Sequence, residues 1–167
     1  MRHLRLGTFL AVVAAALLAA SAASAGGSGH FIAHSTGVSL TGANLVCSFK
    51  EAGLASGAVE TIACTGSETT TYECVNNGGK NPSASNKTST DSTFNQSAPF
   101  TADKNGNLVD SLTVTPASST LRCPSGQTLT FVSVCYSNVT ITDTTSGATA
   151  GPYATTPLCY TNPNAPQ

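Results

Sequence analysis

Short runs of alternating apolar and polar residues, separated by turn residues, make up most of the chain after residue 30. The clearest run places Leu108, Asp110, Leu112 and Val114 on one face, and a second does the same for Val132, Val134 and Tyr136. A period of two is typical of half-buried β-strands. Many such strands at short spacing predict an all-β antiparallel sandwich of immunoglobulin-like architecture. The candidate strands are Phe31–Ser35, Asn44–Lys50, Val59–Cys64, Thr69–Val75, Phe94–Asp103, Leu108–Thr115, Thr128–Tyr136 and Val139–Asp143.

The apolar residues change parity between Tyr136 and Val139. A strand cannot move its apolar side chains to the other face without an extra residue, so the change predicts a bulge or break near Ser137-Asn138.

The segment from Asp103 to Asn107 contains Asn-Gly, the residues that a type I′ turn requires. Together with its flanks it predicts a hairpin from Phe100 to Thr115. Its alternating Asp and Asn residues also resemble a calcium-binding EF-hand loop. The sixth and twelfth loop positions hold Leu108 and Val114 instead of Gly and Glu, which favours the hairpin.

Three stretches predict less regular structure. Residues 50–57 could form one helical turn, although two glycines would destabilise anything longer. Residues 76–92 predict a long polar loop. From Gly151 onward four prolines predict an extended, irregular segment that Cys159 ties back to the body.

The first 25 residues have the features of an export signal: a basic start, an apolar run from Leu6 to Ala20, and small residues ending at Ala25. The apolar run is too short to span a bilayer. We expect cleavage after Ala25 and a secreted, extracellular product that is not held in a membrane. The domains predicted are a signal peptide at 1–25, a flexible leader at 26–29, one β-sandwich at 30–160 and a disordered tail at 161–167.

All six cysteines follow the leader: Cys47, Cys64, Cys74, Cys123, Cys135 and Cys159. An even number in an exported chain predicts three disulfides, but six cysteines allow 15 pairings and the spacing does not choose among them. No CxxC motif occurs and no His lies near a Cys, so no metal site or other cofactor is expected.

Charge contributes little to this chain, because only 9% of its residues are charged. Two of its seven Lys and Arg residues lie in the leader, which leaves five against eight acids and a net charge of −3. The five are scattered singly, which excludes a phosphate-binding surface for nucleic acid or anionic membrane. The remainder contains 18 Ser and 24 Thr, whose hydroxyls would keep exposed strand faces soluble.

Two resemblances bear on the fold. Tyr72 and Cys74 have the spacing of an immunoglobulin tyrosine corner, but Cys47 lies only 27 residues before Cys74 and Trp is absent, which argues against a true immunoglobulin domain. The runs SFKEAGL (48–54), YECVNNGGKNP (72–82), CPSGQ (123–127) and VCYSNVTITDTTSG (134–147) resemble small secreted β-rich proteins of actinobacterial type. That group has no established activity, so the resemblance implies secretion, a β fold and a Cys74–Cys123 disulfide, and no catalytic residue.

Candidate catalytic groups are few. A serine triad would need His30 or His34 as its base, and a metal pair would need both. On a strand these two residues lie about 13 Å apart, so one ion cannot bind both. Glycosidases use two carboxylates across a cleft. No motif marks any pair among the acids, and surface positions are expected for Glu60, Glu68, Glu73, Asp91, Asp103, Asp110 and Asp143.

These observations predict a secreted non-catalytic protein with a structural or interaction role outside the cell. A polysaccharide- or cell-wall-binding module is an alternative, in which hydroxyls and an aromatic ring would contact the sugar. The aromatic candidates are Tyr72, Tyr136, Tyr153 and Tyr160. A hydrolase with an unrecognised carboxylate pair is a third possibility. The expected partner is an extracellular polysaccharide or another surface protein, and the ligand and the oligomeric state stay open.

Overall fold

The computed structural model describes residues 28–76 and 87–165. Within these residues there is no α-helix, and one 3₁₀ turn lies at Ala33–Ser35. The predicted signal peptide and the first two residues of the predicted leader lie outside the described residues. The strands are β1 His30–Phe31, β2 Gly37–Thr41, β3 Asn44–Ala52, β4 Val59–Asn76, β5 Lys87–Thr101, β6 Leu108–Val114, β7 Gln127–Asp143, β8 Thr149–Tyr153 and β9 Leu158–Thr161.

The strands form two antiparallel sheets, which confirms the predicted all-β sandwich. In the four-stranded small sheet, β3 is central, with β1 and β2 along one side and β6 along the other. In the five-stranded large sheet, β4 lies between β5 and β7, and β8 and β9 pair with different parts of β7.

The core lies between the sheets and follows from the alternation of each strand. On β3, Leu45, Cys47 and Phe49 are buried while the residues between them are at least partly exposed. The large sheet faces them with buried side chains from two strands. The core residues of the large sheet include Ile62, Cys64, Val134, Tyr136, Val139 and Ile141.

All six cysteines are paired, which confirms the prediction of three disulfides. Cys47–Cys64 joins β3 to β4 and so links the two sheets through the core. Cys135–Cys159 joins directly opposed residues of β7 and β9. Cys74–Cys123 ties the connection between β6 and β7 to β4, and it is the pair that the resemblance implies.

The predicted irregularity near Ser137-Asn138 is confirmed. Thr65 opposes Thr140 while Ser67 opposes Ser137, so β7 has one residue more than β4 between these pairs. Asn138 has φ 52°, in the left-handed region. Because the extra residue is absorbed as a bulge, the two strands predicted on either side are one 17-residue strand.

The predicted hairpin from Phe100 to Thr115 is wrong, although its turn exists. Gly106 N–H donates to the Asp103 carbonyl at 3.0 Å. The flanking strands then separate, because β5 pairs with β4 in the large sheet and β6 pairs with β3 in the small sheet. The turn is therefore an arch that carries the chain from one sheet to the other.

Other predicted boundaries also differ from the structure. The strand predicted at Phe31–Ser35 ends at Phe31, and the helical turn predicted at 50–57 is wrong because its first three residues belong to β3. Of the predicted loop at 76–92, residues 87–92 belong to β5. The irregular segment after Gly151 contains most of β8 and all of β9. In the predicted tail, Thr161 belongs to β9 and the Asn162 side-chain amide donates to the Phe131 carbonyl at 2.8 Å, so these two residues are held on the large sheet.

Gly106→Ala should destabilise the protein strongly. Gly106 has φ 73°, and a Cβ there would overlap the Leu54 carbonyl oxygen. Backbone strain of about 1–2 kcal/mol adds to the steric cost, so we expect a total loss of about 2–4 kcal/mol in the free energy of unfolding. Urea denaturation would measure it. Gly42→Ala is the matched control, because Gly42 has φ 58° with open space around it and should lose no more than the strain. Equal losses in the two variants would contradict the packing argument.

Candidate functional site

Three carboxylates lie together inside one end of the sandwich: Glu51, Glu60 and Asp143, which we call the carboxyl cluster. Each continues the inward-facing alternation of its strand: Glu51 follows Phe49 on β3, Glu60 precedes Ile62 on β4, and Asp143 follows Ile141 on β7. Glu51 and Asp143 are 0% exposed and Glu60 is 7% exposed. The cluster thus takes acids from both sheets.

Asp143 connects the other two members of the carboxyl cluster. Its Oδ1 accepts a hydrogen bond from Thr145 N–H at 2.8 Å, and Glu51 Oε1 accepts one from Ser146 Oγ at 3.3 Å. The second oxygen of each of the three acids receives no donor from the other described residues. The Asp143 carboxyl lies beside both Glu51 and Glu60, and its negative charge favours the protonated form of each.

Burial is the main reason that these acids hold protons. It raises the pKa of Glu51 from 4.5 to about 7, and the neighbouring negative charge of Asp143 raises it further, against the opposing hydrogen bond from Ser146. The pKa of Glu60 is also raised, first by burial and then by Asp143. Both acids therefore favour the neutral form more than a solvated glutamic acid does.

A carboxyl pair that shares a proton has the chemistry of a general acid and base. Here, however, Glu51 and Asp143 are fully buried. Gly29 lies against Glu51, and a Cβ at that position would approach Glu51 Oε1 to 2.6 Å and Ser146 Oγ to 3.2 Å. Gly29, the last residue of the predicted flexible leader, is thus packed over the carboxyl cluster. The cluster joins the two sheets and does not face a cleft.

A second polar site is open to solvent on the β4–β5 ribbon. It is a pocket of about 380 Å³, and we call it the hydroxyl pocket. Asp91 Oδ1 accepts a hydrogen bond from Thr69 Oγ1 at 2.6 Å, and Glu68 Oε1 accepts one from Ser92 Oγ at 3.2 Å. Every lining residue carries a hydroxyl or a carboxylate: Ser67, Glu68, Thr69, Asp91, Ser92 and Thr93.

The acids do not all lie on the surface as predicted. Asp91, Asp103 and Asp110 are exposed, but four are buried: Glu60, Glu68, Glu73 and Asp143. Each buried acid has a carboxyl, hydroxyl or charged neighbour, and Glu73 forms an ion pair of 3.2 Å with Lys87. Asp103 caps its own turn by accepting hydrogen bonds from Asn105 N–H and Asn107 N–H, which lower its pKa.

The candidate tyrosines differ in their surroundings. Tyr136 is fully buried and donates to the Ala43 carbonyl at 3.0 Å, so it is a core residue. Tyr72 and Tyr153 are half-buried and donate to the carbonyls of Ala117 and Thr36. Tyr160 is half-buried and stacks on Phe131, with ring centroids 6.3 Å apart.

The two histidines do not form a site. His30 and His34 are exposed, and His30 Nδ1 bonds to the Ser28 carbonyl at 3.0 Å. Among residues 28–76 and 87–165 no group of three potential ligands is arranged to hold a metal ion. The same residues contain no helix with the length and apolarity to cross a bilayer.

No protein-family model matches the chain, and comparisons with curated proteins and with solved structures find no significant match.

The carboxyl cluster predicts that the fold is more stable in acid. Because the folded-state pKa of Glu51 is about 7 and its ordinary value is 4.5, protonation favours the folded chain. This stabilisation is complete below about pH 4.5 and is lost as the pH rises through about 7. For one group it amounts to at most about 3 kcal/mol. Urea denaturation at a series of pH values would measure it.

Glu51→Gln should remove most of this dependence, because an amide stays neutral and can still donate to Asp143. The pKa of Glu60 is also raised, so a smaller pH dependence of stability should remain in this variant. Asp110→Asn, at an exposed acid of β6, is the control and should keep the full pH dependence. A wild-type protein equally stable at pH 4.5 and pH 8 would contradict the raised pKa of Glu51.

Proposed function

We propose that the protein is exported and acts outside the cell as a non-catalytic β-sandwich that binds hydroxyl-rich ligands, with extracellular polysaccharide as the ligand class. The hydroxyl pocket is the observation that carries this proposal. The exposed Asp91 carboxylate and the Ser and Thr hydroxyls beside it offer several hydrogen-bonding atoms at one small surface site, as neutral sugars require.

The chemistry of the hydroxyl pocket suits a neutral polyol. A carboxylate such as Asp91 accepts strong hydrogen bonds from sugar hydroxyls, while Thr and Ser hydroxyls both donate and accept. The pocket contains no basic side chain, so an anionic ligand would meet only negative charge. This polarity favours neutral glycans over acidic ones.

Two features support an extracellular, non-catalytic role. Three disulfides stabilise the fold and are typical of exported proteins. The carboxyl cluster, which offers acid–base chemistry, lies where a glycan cannot reach it. A hydrolase would need that end of the sandwich to open. The resemblance to secreted actinobacterial-type proteins stays a prediction and adds no site residue.

Retention on insoluble glycans tests the proposal. We expect the intact disulfide-bonded protein to be retained on one or more neutral polysaccharides, such as cellulose, chitin or a β-glucan. Asp91→Ala should reduce retention at least tenfold, because a charged hydrogen bond contributes about 1.5–3 kcal/mol. Binding isotherms on the insoluble polymer would measure the change.

The matched control is Asp110→Ala, which removes an exposed aspartate from the small sheet and should bind like the wild type. Equal loss in both variants, or no retention on any neutral glycan, would contradict the proposed ligand class. Reducing sugar released during the same incubation tests the hydrolase alternative. Release that Glu51→Gln abolishes would show catalysis and overturn the non-catalytic role.

A further inference from the structure

Strand β5 forms one edge of the large sheet, since among residues 28–76 and 87–165 it pairs with β4 alone. It is 15 residues long, and its charged side chains are Lys87 and Asp91. A long edge strand with few charges presents unpaired peptide groups on which another strand can assemble.

The direction of these peptide groups follows from Thr61. Thr61 N–H donates to Thr145 Oγ1, and the Thr61 carbonyl accepts from Thr144 N–H, so both groups point towards the turn that follows β7. Thr61 is opposite Pro99 in the β4–β5 ladder. In an antiparallel ladder both residues of such a pair point away from each other, so the Pro99 backbone points to the free edge.

The β4–β5 register is unbroken from Thr101 to Lys87, so the alternation extends along the whole strand. The N–H and C=O groups of the odd-numbered residues therefore point to the free edge, and those of the even-numbered residues bond to β4. Between Lys87, where β5 begins, and Pro99, the odd-numbered residues whose N–H points to the free edge are Ser89, Asp91, Thr93, Asn95 and Ser97. Pro99 has no N–H and so ends the usable edge on one side.

We infer that the β5 edge binds the β5 edge of a second copy of this chain, in antiparallel orientation and centred on Thr93. In this register Thr93 is opposite its own copy, Asp91 is opposite Asn95, and Ser89 is opposite Ser97. The Lys87 N–H reaches the carbonyl of Pro99. No hydrogen bond forms in return, because Pro99 has no N–H to donate to the Lys87 carbonyl. The two large sheets become one continuous sheet.

Charge and side-chain chemistry favour this self-pairing. The Asp91 carboxylate meets the Asn95 amide, which can donate to it, and the Thr–Thr and Ser–Ser pairs can exchange hydroxyl hydrogen bonds. A register shifted by two residues towards Lys87 would place Asp91 opposite itself and oppose like charges. The edge is thus complementary to its own copy in the register centred on Thr93. The dimer would also bring the Asp91 and Thr93 walls of two hydroxyl pockets side by side.

Amide hydrogen exchange, followed by NMR on the disulfide-bonded protein without ligand, tests the pairing residue by residue. The N–H groups of even-numbered residues 90–96 should exchange slowly at every protein concentration, because they bond to β4. Those of odd-numbered residues 89–97 should become protected only as the concentration rises. Analytical ultracentrifugation over the same range should show a monomer–dimer equilibrium.

Thr93→Lys places two ammonium groups opposite each other at the two-fold axis and should weaken dimerisation at least tenfold. Thr113→Lys adds the same charge at an exposed position of β6 and should leave dimerisation unchanged. Ser97→Pro is a second test, because it removes a donor from the free edge and none from the β4 ladder. Circular dichroism would confirm that each variant is folded.

A chain that stays monomeric at millimolar concentration would overturn the inference. So would a dimer that Thr93→Lys leaves intact, or one that Thr113→Lys dissociates. Protection of the β6 amides in place of the odd-numbered β5 amides would assign the interface to the small sheet and would equally reject it. Because no glycan is present, failure here would leave the proposed polysaccharide binding untouched.

Discussion

The structure depends on the contact between the inward stripes of β3, β4 and β7, which the Cys47–Cys64 disulfide fixes at its centre. Side chains alternate along a strand, so a slip of one residue would expose every buried side chain of that strand. The bond between Cys47 and Cys64 prevents such a slip between sheets. Because few residues are charged, the fold is stabilised mainly by apolar burial and disulfides, whereas many other domains also use ion pairs.

The carboxyl cluster is a direct consequence of the same alternation. Once Phe49 and Ile141 face inward, the residues two positions further, Glu51 and Asp143, must also face inward. Ionised carboxylates close together in a buried site are costly, and protonation of one of them removes the repulsion. Thr145 and Ser146, in the turn after β7, donate hydrogen bonds to one oxygen each of Asp143 and Glu51. The closure of this end is therefore linked to protonation.

The parity change and the Asn-Gly turn were predicted reliably, whereas the pairing of the strands that flank the turn was not. The parity change near Asn138 requires an extra residue whatever the partner strand is, and the bulge lies there. The Asn105-Gly106 turn also forms, but a turn alone does not decide whether its flanking strands pair. Here the two flanks join different sheets, because β4 and β3 supply their partners.

Glu51 was missed for a related reason. Residues 50–57 were predicted as a possible helical turn, and the predicted strand therefore ended at Lys50, one residue before the acid. The signal was nevertheless present, since Leu45, Cys47, Phe49 and Glu51 continue one alternation. The hydroxyl pocket has no such signal: its Ser and Thr residues resemble those of every exposed strand in the chain. Only the pairing of β4 with β5 brings Asp91 beside Thr69.

The unequal lengths of the two sheets explain where function can be located. β4 has 18 residues and β3 has nine, so the small sheet cannot cover the whole inner face of the large one. The connection after β6 covers part of the remainder, held by Cys74–Cys123 and by the hydrogen bond from Tyr72 to Ala117. A crosslinked segment thus replaces missing strands on the inner face. The β5 side of the same ribbon keeps its hydroxyl-lined pocket and its free peptide groups exposed, and this is where we propose that a ligand or a second copy binds.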